Sequence, residues 1–210
     1  MSTRNYLEPA ELKALFKAPS LAADEFWTGY FKVQYQYGCR VSEVALLRKT
    51  DVAWADKKIT IRRLSEKWQP VVYTLPDRLA DVLHTVQEFV PEANPWLFGS
   101  NRKPRERKPS AGDKMANARR VDEGWTAVSR STADLVFRRA ATEAGLSREL
   151  AHTQVLRHTR AVNLLAAGTR EADVKALLGH GDVSTTRSYL KAAHAVRAKY
   201  GSDLGLSGLI

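Results

Sequence analysis

Apolar residues recur three or four positions apart over most of this 210-residue chain, with one interruption where they alternate instead. In EPAELKALFKAP, Leu12, Leu15 and Phe16 fall on one helical face, and Pro9 stands where a first helical turn tolerates proline. Residues 22–37 predict an aromatic-rich helix whose Phe26, Trp27, Tyr30, Phe31 and Val33 are directed mostly at a core, and Gly38 ends or kinks it. VSEVALLRKTDV predicts a short helix with Ser42 as its candidate N-cap. The period then falls to two. DVAWADKKITIRRL and QPVVYTLP read as two or three strands of a small sheet. From Asp77 the helical period returns, over 77–90, 131–144, 155–167, 170–178 and 184–199. Gly145, Gly168 and Gly179 stand where those helices should stop. The expectation is a mainly α fold with a small antiparallel β-sheet inserted after the third helix, all in one domain over residues 1–210.

Charge narrows the set of partners. Lys and Arg number 33 against 23 Asp and Glu, a net of +10 and a pI near 9.8. Such a field favours a polyanion: DNA, RNA or an anionic lipid surface. The excess is uneven. Residues 101–120 hold eight basic and two acidic side chains, together with Pro104, Pro109 and Gly112, and show no apolar periodicity. This stretch opens a basic insertion of about residues 101–126, whose Arg102, Lys103, Arg105, Arg107 and Lys108 are candidate phosphate contacts. No apolar run of about 18 residues is present, which argues against a membrane-spanning helix. The start of the chain lacks the apolar core of a signal peptide, and Cys39 is the one cysteine, so the expected compartment is the reducing cytoplasm.

Four places hold polar side chains that a packed core does not ask for. Arg40 follows Gly38 beside an otherwise apolar helix. Lys67 lies in the turn between the two best strands. Arg157 and His158 open a helix whose buried stripe is Leu156, Val162 and Leu165. His180 follows Gly179, and Tyr189 comes nine positions later. The histidines lack HxxxH and HExxH spacing, no glycine-rich phosphate loop is present, and GxSxG is absent, so no metal site is expected. Two Arg, a Lys, one or two His and a Tyr suit attack on a phosphodiester without metal. Guanidinium forks match non-bridging phosphate oxygens, and a phenol serves as covalent nucleophile. Ionising a free tyrosine at pH 7 costs roughly 4 kcal/mol, so cations around the same phosphate are needed to offset it.

YGCRVSEVALLRKTDV resembles the first signature of the tyrosine recombinases, the lambda integrase and Cre-like family. VLRHTRAVNLLAAGTREADVKALLGHGDVSTTRSYL is similar to their second signature, and the likeness spans roughly residues 7–195. The resemblance implies the recombinase catalytic-domain fold and a site-specific DNA recombinase or integrase. Arg40 and Arg157 would bind the scissile phosphate and His180 would hydrogen-bond it. Tyr189 would attack to leave a 3′-phosphotyrosyl link, and Lys67 would protonate the departing 5′-oxygen. Neither metal nor ATP is needed, because the phosphotyrosyl bond keeps the energy of the bond it replaces. The implied partners are double-stranded DNA and further copies of the chain, as a dimer to tetramer on DNA. The apolar tail of about residues 201–210, with Leu204, Leu206, Leu209 and Ile210, is expected to join them. The implied place of action is the cytoplasmic nucleoid.

The chain departs from the family pattern in three ways. Gln154 stands three before Arg157, where the family usually has His or Lys, and an amide does not carry a proton at useful pH. His152, two residues earlier, is the candidate replacement. No N-terminal DNA-clamping domain is expected, as in the short fimbrial-switch-type members, and the basic insertion maps onto no standard element. Glu43 is expected to orient a neighbouring arginine, His158 to be a buried, hydrogen-bonded residue, and Cys39 to fill core. A DNA-binding regulator or accessory protein with impaired catalysis is the alternative, fed by Gln154. A topoisomerase-like relaxing enzyme is a third reading.

Overall fold

The computed structural model describes residues 4–64, 70–100, 121–122, 124–179 and 188–206. The chain opens with α1 (Pro9–Phe16), α2 (Pro19–Ala22), α3 (Glu25–Gln36) and α4 (Val41–Ala45). A three-stranded antiparallel sheet follows, β1 (Val52–Ala53), β2 (Lys58–Arg62) and β3 (Pro70–Thr74), in the order β1-β2-β3. Its register pairs Val52 with Ile59 and Arg62 with Pro70. Then come α5 (Asp77–Phe89), the short strands β4 (Val121–Asp122) and β5 (Trp125–Thr126), α6 (Arg130–Glu143), α7 (Gln154–Ala166), α8 (Glu171–Leu178) and α9 (Leu190–Tyr200). The mainly helical expectation holds. The helix expected over 184–199 begins later, at Leu190, with Ser188 and Tyr189 in a turn before it; residues 184–187 lie outside the described set.

The β4–β5 hairpin was not expected. Val121 pairs with Thr126, Gly99 bridges Ala127, and the Ser100 N–H donates to the Thr126 carbonyl at 3.0 Å. The basic insertion therefore leaves and rejoins the fold through an antiparallel neck.

Two clusters of buried side chains share α7. In the larger, the α3 aromatics pack edge-on: Tyr30 lies 5.0 Å from Phe98 and Phe31 lies 5.3 Å from Phe137 between ring centres. Such pairs add about 0.5–1.5 kcal/mol beyond the area they bury. Val155 and Leu156 of α7 belong to this cluster. Ala161, Val162 and Leu165, further along α7, belong to the second, with Val174 and Leu178 of α8 and Tyr189, Ala193 and Val196 at the start of and along α9. The N-terminal half of α7, which carries Arg157 and His158, thus sits where the two clusters meet. Gln34 on α3 fixes that end by donating from Nε2 to the Thr153 carbonyl at 3.0 Å.

The described tail, residues 201–206, lies on its own domain. Leu204 packs against the second cluster and Leu206 against the first.

Candidate active site

The chain leaves α3 through Gly38, whose φ of +58° lies in the left-handed region. A Cβ there would sit 2.5 Å from Leu178 Cδ2, so α8 closes on this turn only because the residue is glycine. Two residues later Arg40 occupies the N-cap of α4. Ser42, the expected cap, is instead the second helical residue. The first turn is capped from inside the helix, where the Glu43 carboxylate accepts the Arg40 N–H at 2.9 Å.

Glu43 is 1% exposed and gathers three arginines. Arg40 Nη1 donates to Oε1 at 3.3 Å, Arg63 Nη1 donates to Oε2 at 3.0 Å, and Arg157 Nη1 lies 4.0 Å away. Oε1 also accepts the Leu64 N–H at 2.9 Å, which ties the end of β2 to α4. Arg157 reaches this place from α7, and its fork spans two chain ends. Nη1 donates to the Gly38 carbonyl at 2.7 Å and Nη2 to the Leu178 carbonyl at 2.8 Å. Arg63 spans two more. Its Nη2 donates to the Tyr37 carbonyl at 2.7 Å and to Tyr73 Oη at 2.8 Å, and Tyr73 donates to the Leu177 carbonyl at 3.2 Å.

Three guanidiniums around one carboxylate leave a positive surplus in a place with little water. Arg63 and Arg157 are each 2% exposed, whereas the Arg40 side chain is 38% exposed. Burial pushes the Arg157 guanidinium down to about 10; Glu43 opposes this, and Arg40 and Arg63 add to it. Such a cluster is completed by an anion, and Arg40 is the member that faces solvent. Cys39, fully buried beside it, has its thiol pushed up to about 11 by burial and stays protonated.

Tyr189 lies against the same helix. It is 6% exposed, and its Oη is 2.7 Å from His158 Nδ1. Burial raises the phenol above its ordinary value, with Arg157 pulling the other way. Burial pushes the His158 imidazole down to about 4, and the nearby His152 and Arg157 add to that. At neutral pH His158 is therefore uncharged.

Of the residues singled out in the sequence, the structure gathers Arg40 and Arg157 at Glu43 and seats Tyr189 against His158, the neighbour of Arg157 on α7. Gln154 is the first residue of α7, one turn before Arg157. His152 lies in the bend before it, with its imidazole pushed down by burial, Asp134 opposing. Lys67, His180 and the arm residues Arg102, Lys103, Arg105, Arg107 and Lys108 lie outside the described residues. Two described residues at the edges of these gaps touch the arginine cluster. Leu64 is held by Glu43 and Arg40, and Gly179 ends α8 in the left-handed conformation against the Arg63 side chain.

Two members of this site escaped the sequence. Arg63 is one of several basic residues beside the strand turn, with Arg62 and Lys67, and nothing in its immediate neighbours singles it out. Yet Ile59, Ile61 and Arg63 alternate, and that period places Arg63 on the buried face. His158 is hydrogen-bonded as expected but only partly buried, and its partner is the candidate nucleophile, 31 residues away, which no local pattern reveals.

The profile of the Phage integrase family matches residues 5–195. The chain belongs to this family. Among its relatives, a putative tyrosine recombinase XerC of Pseudomonas aeruginosa is 28% identical over 173 residues, 80% of this chain and 36% of that protein. Tyrosine recombinase XerD of Brucella abortus (strain 2308) is 32% identical over 160 residues, 74% of this chain and 44% of that protein. This member of the family thus spans less than half the length of these two relatives. In fold it is similar to the XerA recombinase crystal structure, with a TM-score of 0.69 at 21% identity over 95% of this chain and 64% of that one. It is also similar to the XerH site-specific recombinase bound to its palindromic difH substrate in a post-cleavage complex. That TM-score is 0.67 at 19% identity, over 92% of this chain and 52% of that one.

Proposed function

We propose that this chain carries the catalytic part of a site-specific DNA recombinase, which cleaves and rejoins one strand through a 3′-phosphotyrosyl intermediate. The observation that carries the reading is the positive surplus of Arg40, Arg63 and Arg157 around Glu43, with the Tyr189 phenol hydrogen-bonded to His158, the neighbour of Arg157 on α7. A phosphodiester supplies the missing negative charge, and the tyrosine supplies a nucleophile beside it. Arg40 and Arg157 hold the scissile phosphate and stabilise the charge that grows on it in the transition state. Lys67 and His180 are assigned their family roles, proton donor to the 5′-oxygen and phosphate hydrogen-bond donor. The reaction uses neither metal nor nucleotide, because the phosphotyrosyl ester conserves the energy of the cleaved bond.

Double-stranded DNA is the proposed substrate, and the difH complex of XerH supports that choice. Assembly on DNA as a dimer to tetramer through the tail is the proposed mode of regulation. It requires Leu204 and Leu206 to leave their seats on the chain's own domain. Deleting residues 201–210 should then leave single-site binding intact and abolish cooperative complexes. A truncated monomer that melts earlier, with cooperative complexes intact, would assign the tail to its own fold alone.

The reading is tested by incubating the protein with a pool of nicked duplexes of randomised sequence, denaturing, and isolating DNA that stays attached to protein. Covalent adducts enriched for one sequence support it. Sequence-selective binding with no adduct supports the second reading, a DNA-binding regulator, which Gln154 at the usual His or Lys position favours. In that case Gln154→His should create adduct.

A further inference from the structure

Tyr189 and His158 are joined at 2.7 Å, the phenol buried and the imidazole partly buried. We infer that His158 is the general base that takes the Tyr189 proton in the cleavage step. The inference rests on the reading above, in which Tyr189 is the nucleophile.

Three observations lead to it. The first is geometric: Nδ1 already lies at hydrogen-bond distance from the oxygen whose proton must leave. The second is the protonation state. With its imidazole uncharged at neutral pH, His158 has a lone pair to offer, and with the proton on Nε2 its Nδ1 accepts the phenol hydrogen. The third is the neighbourhood. Gln154, one turn before Arg157 on the same helix, has no protonatable nitrogen to offer, and His152 faces the charges of Asp134 and Arg138.

In the free protein the proton stays on oxygen, since burial disfavours both the phenolate and the imidazolium. The order changes when a phosphate sits at Arg157. As Tyr189 Oη bonds to phosphorus the phenol becomes strongly acidic, and the phosphate's negative charge favours an imidazolium nearby. The Oη–H proton then passes to Nδ1, the Oη–P bond forms and the P–O5′ bond breaks. The 5′-oxygen takes its proton from Lys67, the assigned acid. On resealing, the 5′-hydroxyl attacks phosphorus, its proton returns to Lys67, and the His158 imidazolium gives its proton back to the departing phenolate. Atoms and charge balance over the cycle.

The test uses the duplex selected by adduct formation and single-turnover cleavage of the full chain. His158→Asn keeps a hydrogen-bond acceptor near Oη but removes the base. It should slow cleavage about 10²-fold or more while DNA affinity changes less than about threefold. Replacing Tyr189 by 2,3-difluorotyrosine, whose phenol is more acidic, should restore much of the lost rate in the Asn variant and little in the parent. His158→Gln, with melting curves for both variants, guards against a folding defect. Cleavage as fast as or faster than the parent would show that His158 only parks the tyrosine and would overturn the inference. So would a slowed variant that fluorination does not rescue. Tyr189→Phe in parallel keeps the two claims apart: adduct from that variant sinks the nucleophile assignment itself.

Discussion

Arg63 and Glu43 form an ion pair of 3.0 Å in which neither side chain reaches solvent. Its acid is shared with Arg40 and lies 4.0 Å from Arg157, so one carboxylate offsets part of the charge of three cations. The pair also joins β2 to α4, because Glu43 accepts the Leu64 N–H. Removing one partner of a buried pair typically costs about 3–5 kcal/mol. Glu43→Ala is therefore expected to lower the unfolding free energy by about that much. Urea denaturation checks it. A loss under about 1 kcal/mol would mean that water or another anion screens the cluster.

Arg40 and Arg157 should separate into two kinds of variant. Arg40 is partly exposed, and one of its bonds is to the Leu64 carbonyl. Arg40→Ala is expected to slow cleavage by about 10²–10³-fold with little change in melting temperature. Arg157 is buried and satisfies the Gly38 and Leu178 carbonyls at once. Arg157→Ala should lose both cleavage and stability, and Arg157→Lys should recover only part of either, because an ammonium cannot reproduce the fork. Melting curves alongside single-turnover rates distinguish the two. Equal destabilisation by both alanine variants would contradict the assignment.

The depressed imidazole of His158 makes a signed prediction about pH. Its value falls from the ordinary 6.5 to about 4 on folding, mainly through burial. The unfolded chain therefore binds the proton more readily. The stability contributed by the neutral ring is fully present above about pH 6.5 and is lost as the pH falls toward 4. Over that window the loss is of the order of 3 kcal/mol. His152 titrates in the same direction, so the measurement is the difference between parent and His158→Asn. The variant's unfolding free energy should fall less steeply between pH 6.5 and 4. Parallel curves would show that His158 is not buried neutral.

Much of this was legible in the sequence because local physics fixes it. Apolar residues at helical spacing located α3, α5, α6 and α8 to within a few residues, since each buries one stripe. The alternation around Ile59 and Ile61 located the sheet. The β4–β5 hairpin was not legible, because two-residue strands carry no period and Gly124 alone marked the turn. Nor was the meeting of His158 with Tyr189, or of Arg63 with Glu43, since the pairs are 31 and 20 residues apart and depend on how helices and strands pack. The resemblance named Arg40 and Arg157 as partners and Glu43 was expected to orient an arginine, while the packing supplied the third arginine, Arg63, and the sharing of one carboxylate.

The arm should act through charge. Neutralising Arg102, Lys103, Arg105 and Arg107 removes up to four phosphate contacts. It is expected to flatten the slope of log affinity against log salt by about 3–4, with all DNA sequences weakened alike. Binding titrations at several salt concentrations, on the selected duplex and on a scrambled one, check this. A changed preference between the two DNAs would mean that the arm reaches base edges.

The central claim is that Tyr189 becomes covalently joined to DNA. Trypsin cuts after Arg187 and Lys191, so the adduct should reside on the four-residue peptide Ser188–Lys191. The decisive measurement is mass spectrometry of the nuclease- and trypsin-treated adduct from the selected nicked duplex. The account predicts that this peptide carries a 3′-nucleotide on Tyr189, and that Tyr189→Phe yields no adduct on any peptide. A nucleotide on another peptide, such as one containing Tyr200, or an adduct that survives in Tyr189→Phe, would contradict it.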